Sequence, residues 1–172
     1  MNQSNKKNGT IAEATPSHLD AMIKVFQAGQ YQHVEMVPDI FCDPDNPDEI
    51  GAYIQGYFKP RNPFHSRRKF AVGWFVDGEL GGYLLYQLYS SSDIFFGKNR
   101  WVCFVSDIAI SPDHQSKGGA TQLMDYLVTE KAGPLKNCII SGQVWKGNDA
   151  SSGLFRKFGF DVRSENFFKI IK

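Results

Sequence analysis

Apolar residues recur along this chain with two periods, and each change of period marks a new element. Residues 10–15 suit a short strand, and Ser17 is placed to cap the helix that follows, where Leu19, Met22, Ile23 and Phe26 fall on one face at helical spacing. Residues 37–47 keep neither period and carry prolines at 38, 44 and 47. A second helix is predicted from about Asp48, with Ile50, Tyr53, Ile54 and Tyr57 as its apolar stripe. Residues 70–76 and 80–89 read as strands joined by a tight turn at Asp77-Gly78. After a polar stretch through Asn99, residues 101–110 form a long strand candidate ended by Ser111-Pro112. From Gly118 the helical period returns with Leu123, Tyr126 and Leu127, closed by Gly133-Pro134. Residues 138–145 read as a strand, 151–158 as a helix ending at Gly159, and 160–163 with 167–171 as a final strand pair.

This order gives a mixed α/β (α+β) domain without linker or repeat. A chain of 172 residues is the size of one domain. Residues 1–9, polar and rich in Asn and Lys, are expected to be a loose tail, and 10–172 the folded unit. With 42% hydrophobic and 14% aromatic residues, the chain can fill a sizeable core and is not a disordered segment.

Charge narrows the function. Nineteen Lys and Arg against eighteen Asp and Glu leave a net charge of +1, without the basic excess that coating a nucleic acid requires. Cys42, Cys103 and Cys138 are odd in number and widely spaced, so neither a disulfide framework nor a zinc site is expected. His18, His33, His65 and His114 show no paired spacing, and no metal is expected. The N-terminus lacks the apolar core of a secretory signal, and no stretch approaches the roughly 20 apolar residues needed to span a bilayer. A cytoplasmic protein that binds neither membrane nor nucleic acid is the expectation.

The candidate chemistry lies between Val105 and Leu123. There a strand ends, a turn carries Gln115, Ser116, Lys117, Gly118, Gly119 and Ala120, and a helix begins. Small residues let an oxygen-rich group approach the backbone, and the amides of the first helical turn, which lack internal partners, point outward with the positive end of the helix dipole. Neither GxxxxGK[ST] nor GxGxxG is present, so the segment is not a nucleotide-triphosphate or dinucleotide loop. The alternative is a plain strand-to-helix turn made with two glycines.

Here the sequence resembles the GCN5-related N-acetyltransferase family. Residues 115–120 match that family's [QR]-x-x-G-x-[GA] signature, and 148–160 resemble its N-x-x-A-x-x-L-Y-x-K-x-G-F segment, in the same order and with a strand between. The resemblance implies one domain with a central mixed, mostly antiparallel sheet, a splayed parallel strand pair and about four flanking helices. It implies acetyl-CoA as co-substrate, with the amides of Gln115 to Thr121 on the pyrophosphate. Main-chain groups of Ile108 and Ile110 would lie along the pantetheine arm, near a splay from the strand containing Val144. Asn148 would bond the cofactor or orient the last helix, and Lys117, Lys146, Arg156 and Lys157 are candidates for the phosphates.

Acetyl transfer to an amine needs a deprotonated nucleophile, a polarised thioester carbonyl and a leaving thiolate. An alkylamine of pKa near 10.4 is almost wholly protonated at neutral pH, so a carboxylate base, direct or through water, is the usual remedy. Asp107 is the candidate base, with Ser106 as a water-holding neighbour; the alternative is that Asp107 braces the adjoining loop. Amides of 108–110 can polarise the carbonyl. Phe155 stands where the family usually has a tyrosine that protonates the departing sulfur, so the acid is absent or supplied elsewhere, with Tyr126 and Tyr57 as substitutes. A CoA-binding regulatory module with little catalysis is the rival reading.

On the acceptor side, the resemblance frames a groove by the first two helices and the last hairpin. Asp39, Asp43, Asp45, Asp48 and Glu49, with no Lys or Arg between 39 and 49, suggest a small amine or polyamine, with a protein amine as competitor. Glu35 and His33 are further groove candidates. Trp101 and Trp145 are expected to fill core or sheet faces. Phe167 and Phe168 either support a homodimer or occupy opposite faces of one strand.

Overall fold

A computed structural model describes residues 9–58, 67–91 and 100–169. Strands β1 (Thr10–Glu13), β2 (Arg67–Val76), β3 (Glu79–Ser91), β4 (Arg100–Ile110) and β5 (Cys138–Gly142) form one sheet in the order β1-β2-β3-β4-β5. The first four run antiparallel and β5 is parallel to β4. The predicted turn between β2 and β3 has φ of 53° at Asp77 and 86° at Gly78, the two positive values a tight hairpin needs.

Helices α1 (Leu19–Met36) and α2 (Pro47–Gln55) cover one face of the sheet. Met22, Val25, Ile50, Ile54 and Tyr57 pack there with Ala71, Tyr83 and Leu85. Helices α3 (Gly119–Tyr126) and α4 (Asp149–Lys157) lie on the other face, and α3 runs on into a π-helical segment, Leu127–Ala132. Leu123, Met124 and Leu127 pack there on Val72, Trp74, Leu84, Tyr86, Cys103 and Val105. β2 and β3 thus feed both cores by alternation. Among the described residues no helix is long and apolar enough to cross a membrane.

Ser17 does not cap α1. Thr15 caps a short 3-10 turn, Pro16–His18, in a reciprocal box with His18, and α1 follows directly from it. α2 begins one residue before the predicted start, because Asn46 accepts from the amides of Asp48 and Glu49.

The end of the chain departs further from expectation. β5 stops at Gly142 rather than at residue 145, because its ladder with β4 ends at Val105↔Gly142. Residues 160–169 contain no strand, so the predicted strand at 160–163 does not form; of the other predicted strand, 167–171, Ile170 and Ile171 fall outside the described residues. The apolar signal at Phe160 has another origin. Gly159, at φ 78°, donates to Arg156 O at 3.0 Å and Phe160 N donates to Phe155 O at 3.2 Å, which is a Schellman closure of α4. Its hydrophobic contact is Phe155 against Phe160, with ring centroids 4.9 Å apart. Phe167 and Phe168 are 90% and 60% exposed, so neither enters the core.

Candidate active site

The register of β4 builds the site. Leu85 faces Asp107 and Tyr86 faces Val105, so Ser106 is an extra residue on β4, a β-bulge. Cys103 and Val105 point to the α3 face, and strict alternation would send Asp107 the same way. The bulge shifts the phase. Ile108 and Ile110 now pack on the α3 side and Ala109 on the α1 side, which carries Asp107 toward Tyr83 of β3. β5 pairs with β4 only up to Val105, so beyond the bulge the β4 edge facing β5 is left open.

A cleft of about 680 Å³ occupies this splay. Its floor is residues 105–110, one wall is α1 through Phe26, Gly29, Gln30 and His33, and the other is the α3 turn with the start of α4. Ser106, Asp107, Ile108, Ile110, Gln115, Ser116, Gly118, Gly119, Ala120, Thr121, Asn148 and Phe155, all singled out in the sequence, line it. Lys117 does not: its ammonium turns back to the Asp113 carbonyl at 2.5 Å. Of the four candidate cations only Lys157 lines the cleft, and it donates to Thr121 Oγ1 at 3.3 Å.

Two glycines of the turn are small for different reasons. Gly118 sits at φ 88°, which favours glycine, and leaves α3 pointing its first amides into the cleft. Gly119 makes room for protein: a Cβ there would lie 2.5 Å from the indole of Trp74. That indole is fully buried and donates to Gln122 Oε1 at 3.3 Å, seating α3 on the sheet. An open helix N-terminus beside a free strand edge fits a pyrophosphate joined to an extended amide-bearing arm.

At the cleft floor, Tyr83 donates its hydroxyl hydrogen to Asp107 Oδ2 at 2.5 Å. Burial pushes the Asp107 carboxyl up to about 6, against the hydrogen bonds from Tyr83 and the Ile108 amide, which favour the charged form. The Tyr83 phenol is raised well above its ordinary value, first by burial and then by the Asp107 charge. Ser106 Oγ accepts from Gln87 Nε2 at 3.1 Å, which fixes the bulge to β3. Nothing in the sequence pattern pointed to Tyr83; it faces Ala109, and its hydroxyl reaches Asp107 diagonally because the bulge turns that carboxyl to the same face.

Asn148 acts as the N-cap of α4, accepting from Ser151 N at 3.0 Å, and its amide nitrogen lies 3.4 Å from His33 Nε2. Burial lowers the His33 pKa. His33 also stacks on Phe41, which meets Trp145 edge-on, and Trp145 contacts Phe168. Trp145 therefore forms part of the cleft wall instead of a core. Asp39, Asp43, Asp45, Asp48 and Glu49 are exposed and outside the lining, as is Glu35.

Phe155 packs its ring over Gly142: a Cβ on that glycine would lie 2.6 Å from Phe155 Cζ. Neither substitute hydroxyl reaches the cleft. Tyr57 is buried under α2 with its oxygen 3.4 Å from that of Tyr53, and Tyr126 packs at the α3 core with Lys131 over its ring.

A meander with a splayed parallel fifth strand, an open helix N-terminus at the splay and helices on both faces is the acetyltransferase fold. Residues 33–160 match the profile of the Acetyltransferase (GNAT) family, and the chain belongs to that family, whose members generally use acetyl-CoA as co-substrate. No curated protein matches in sequence. Among solved structures, a mutant of the BH1408 protein from Bacillus halodurans superposes with a TM-score of 0.74 at 19% identity, covering 95% of this chain and 99% of that one. An aminoglycoside acetyltransferase from an uncultured soil metagenomic sample, in complex with sisomicin, gives 0.61 at 13% identity, covering 98% and 100%. The ribosomal-protein-alanine N-acetyltransferase from Brucella melitensis biovar Abortus 2308 gives 0.61 at 16% identity, covering 95% and 99%.

Proposed function

We propose that this protein is an acetyl-CoA-dependent N-acetyltransferase that acetylates a primary amine by direct attack within a ternary complex, with Asp107 as the base. The observation that carries the reading is the Asp107 carboxyl in the cleft floor, held by Tyr83 and pushed by burial to about 6. Such a carboxylate is mostly ionised at neutral pH yet basic enough to accept a proton in the transition state.

The amides of the turn 115–121 would hold the CoA pyrophosphate, and the free β4 edge at Ile108 and Ile110 would run alongside the pantetheine arm. An amide of this segment polarises the thioester carbonyl. Asp107 takes a proton from the incoming ammonium, directly or through a water held by Ser106. The amine nitrogen then bonds to the carbonyl carbon, the tetrahedral adduct releases its second nitrogen proton to water, and the carbon–sulfur bond breaks. The sulfur leaves as thiolate, and solvent supplies its proton, because Phe155 has none to give. A small amine is favoured as acceptor. The acids of 39–49 contribute only a long-range field toward a polyamine, since they stand outside the lining. The aminoglycoside and ribosomal-protein enzymes named above span the small-molecule and protein-amine classes of acceptor.

Thiol release from acetyl-CoA across a panel of monoamines, polyamines and peptide N-termini tests the reading, together with Asp107→Asn. The variant is expected to lose about 10²–10⁴-fold in kcat while its thermal stabilisation by CoA persists. Undiminished turnover would remove Asp107 as base. The hydroxyl-free ring of Phe155 supports a second reading, a CoA-binding module. Stabilisation by CoA without thiol release on any amine would favour it.

A further inference from the structure

Tyr83 is a buried tyrosine whose hydroxyl has one strong partner, and that partner is the candidate base. We propose that Tyr83 is a positioning residue for catalysis: its hydroxyl holds the Asp107 carboxylate in the cleft floor and sets the pH at which that carboxylate becomes a base. This rests on the reading of Asp107 as base and adds a residue that acts through it.

The geometry supports a functional bond over a merely structural one. Asp107 has two carboxylate oxygens. Tyr83 reaches Oδ2 at 2.5 Å from the α1/α2 side of the sheet, while the carboxyl also borders the cleft. A carboxylate so anchored is left with an oxygen to meet an amine or a water. The bond is directional: the phenol is fully buried on β3, where Tyr83 faces Ala109 next to the bulged segment, and cannot swing to solvent. The other groups around the pair are polar but distinct in place. Tyr53 of α2 and Tyr57, just past its end, lie behind Tyr83, with their oxygens 3.4 Å apart and Lys69 of β2 over the Tyr57 ring. From the cleft side come His33 of α1 and His114 of the turn after β4. The Ile108 amide of β4 is the second donor to the carboxylate. Because a phenol donor favours the charged carboxylate, it works against burial, which favours the neutral acid. Tyr83 thus keeps Asp107 ionised at pH values where a desolvated carboxyl alone would hold its proton.

Two substitutions that keep the ring move this balance in opposite directions. Tyr83→Phe removes the donor, and the acid limb of kcat/KM is expected to rise by about one pH unit, with KM for acetyl-CoA unchanged. Replacing Tyr83 with 3-fluorotyrosine strengthens the donor, and the limb should fall. Asp107→Asn separates the two readings, since it should abolish the limb together with most of the turnover. If Asp107→Asn is inactive while both Tyr83 variants keep the wild-type limb, Tyr83 is only a packing residue and the proposal fails. If Asp107→Asn stays active, the base assignment itself fails. Should Tyr83→Phe not fold, the near-isosteric fluorotyrosine variant decides by the direction of its limb.

Discussion

The two ends of the cleft are built by different means. At the α3 end, the surface offered to a ligand is main chain: the first amides of α3, set by Gly118 at φ 88°, and the open edge of β4. At the floor, it is a single side chain, Asp107, whose orientation depends on a bulge and whose charge depends on a neighbouring strand. A backbone site is fixed by local conformation and tolerates change in the side chains around it. A side-chain site is fixed by contacts distant in sequence, here Tyr83 to Asp107 and Gln87 to Ser106.

Substitutions can break this contrast from either end. The largest effect is expected from Gly119→Val. Its Cβ would enter the volume of the buried Trp74 indole, costing about 3 kcal/mol or more through overpacking and displacement of the first turn of α3. Thermal melting should fall, and stabilisation by CoA should fall with it. A variant that melts normally but ignores CoA would mean that Gly119 serves the ligand and not Trp74.

A smaller effect of opposite sign is expected at the floor. The folded pKa of Asp107, about 6, lies above that of a free carboxyl. The wild type therefore loses stability as pH rises from about 4 through 6, where the native carboxyl must give up a proton that the unfolded chain has already lost. Asn keeps an acceptor for Tyr83 and does not titrate. Asp107→Asn should match the wild type near pH 4 and exceed it by about 2–3 kcal/mol at pH 8, read from denaturant unfolding at both values. An inactive variant more stable than its parent is the mark of a site strained for function. A constant difference across pH would show that Asp107 is not desolvated.

The smallest effect is expected at Phe155. Its para carbon lies against Gly142, so a tyrosine oxygen there meets backbone and not a departing sulfur. Phe155→Tyr should leave kcat at saturating acetyl-CoA within about threefold and lower stability by about 1 kcal/mol. A larger rise in kcat would indicate that the ring turns and that a missing acid limits the wild type.

Legibility in the sequence followed the same division. The turn 115–120 and the segment 148–160 could be read because their residues act where they stand in the chain, through helix starts, glycine torsions and caps. Even there the reasons changed: Lys117 turned back on Asp113, and Gly119 proved to be space for Trp74. The apolar signal at 160–163 reads as a strand because Phe160 closes α4, a contact with the same apolar signature as a strand residue. Trp145 was misplaced because its wall depends on Phe41 and Phe168, far away in sequence.

Sequence alone determined the elements up to β5, the hairpin at Asp77-Gly78 and the α3 turn, since each rests on the period or torsion of neighbouring residues, and it marked the family through the resemblance of the segments 115–120 and 148–160. Tertiary structure alone decided which face of β4 carries Asp107. One inserted residue, Ser106, inverts the alternation, and no local pattern marks a bulge until a partner strand fixes the register.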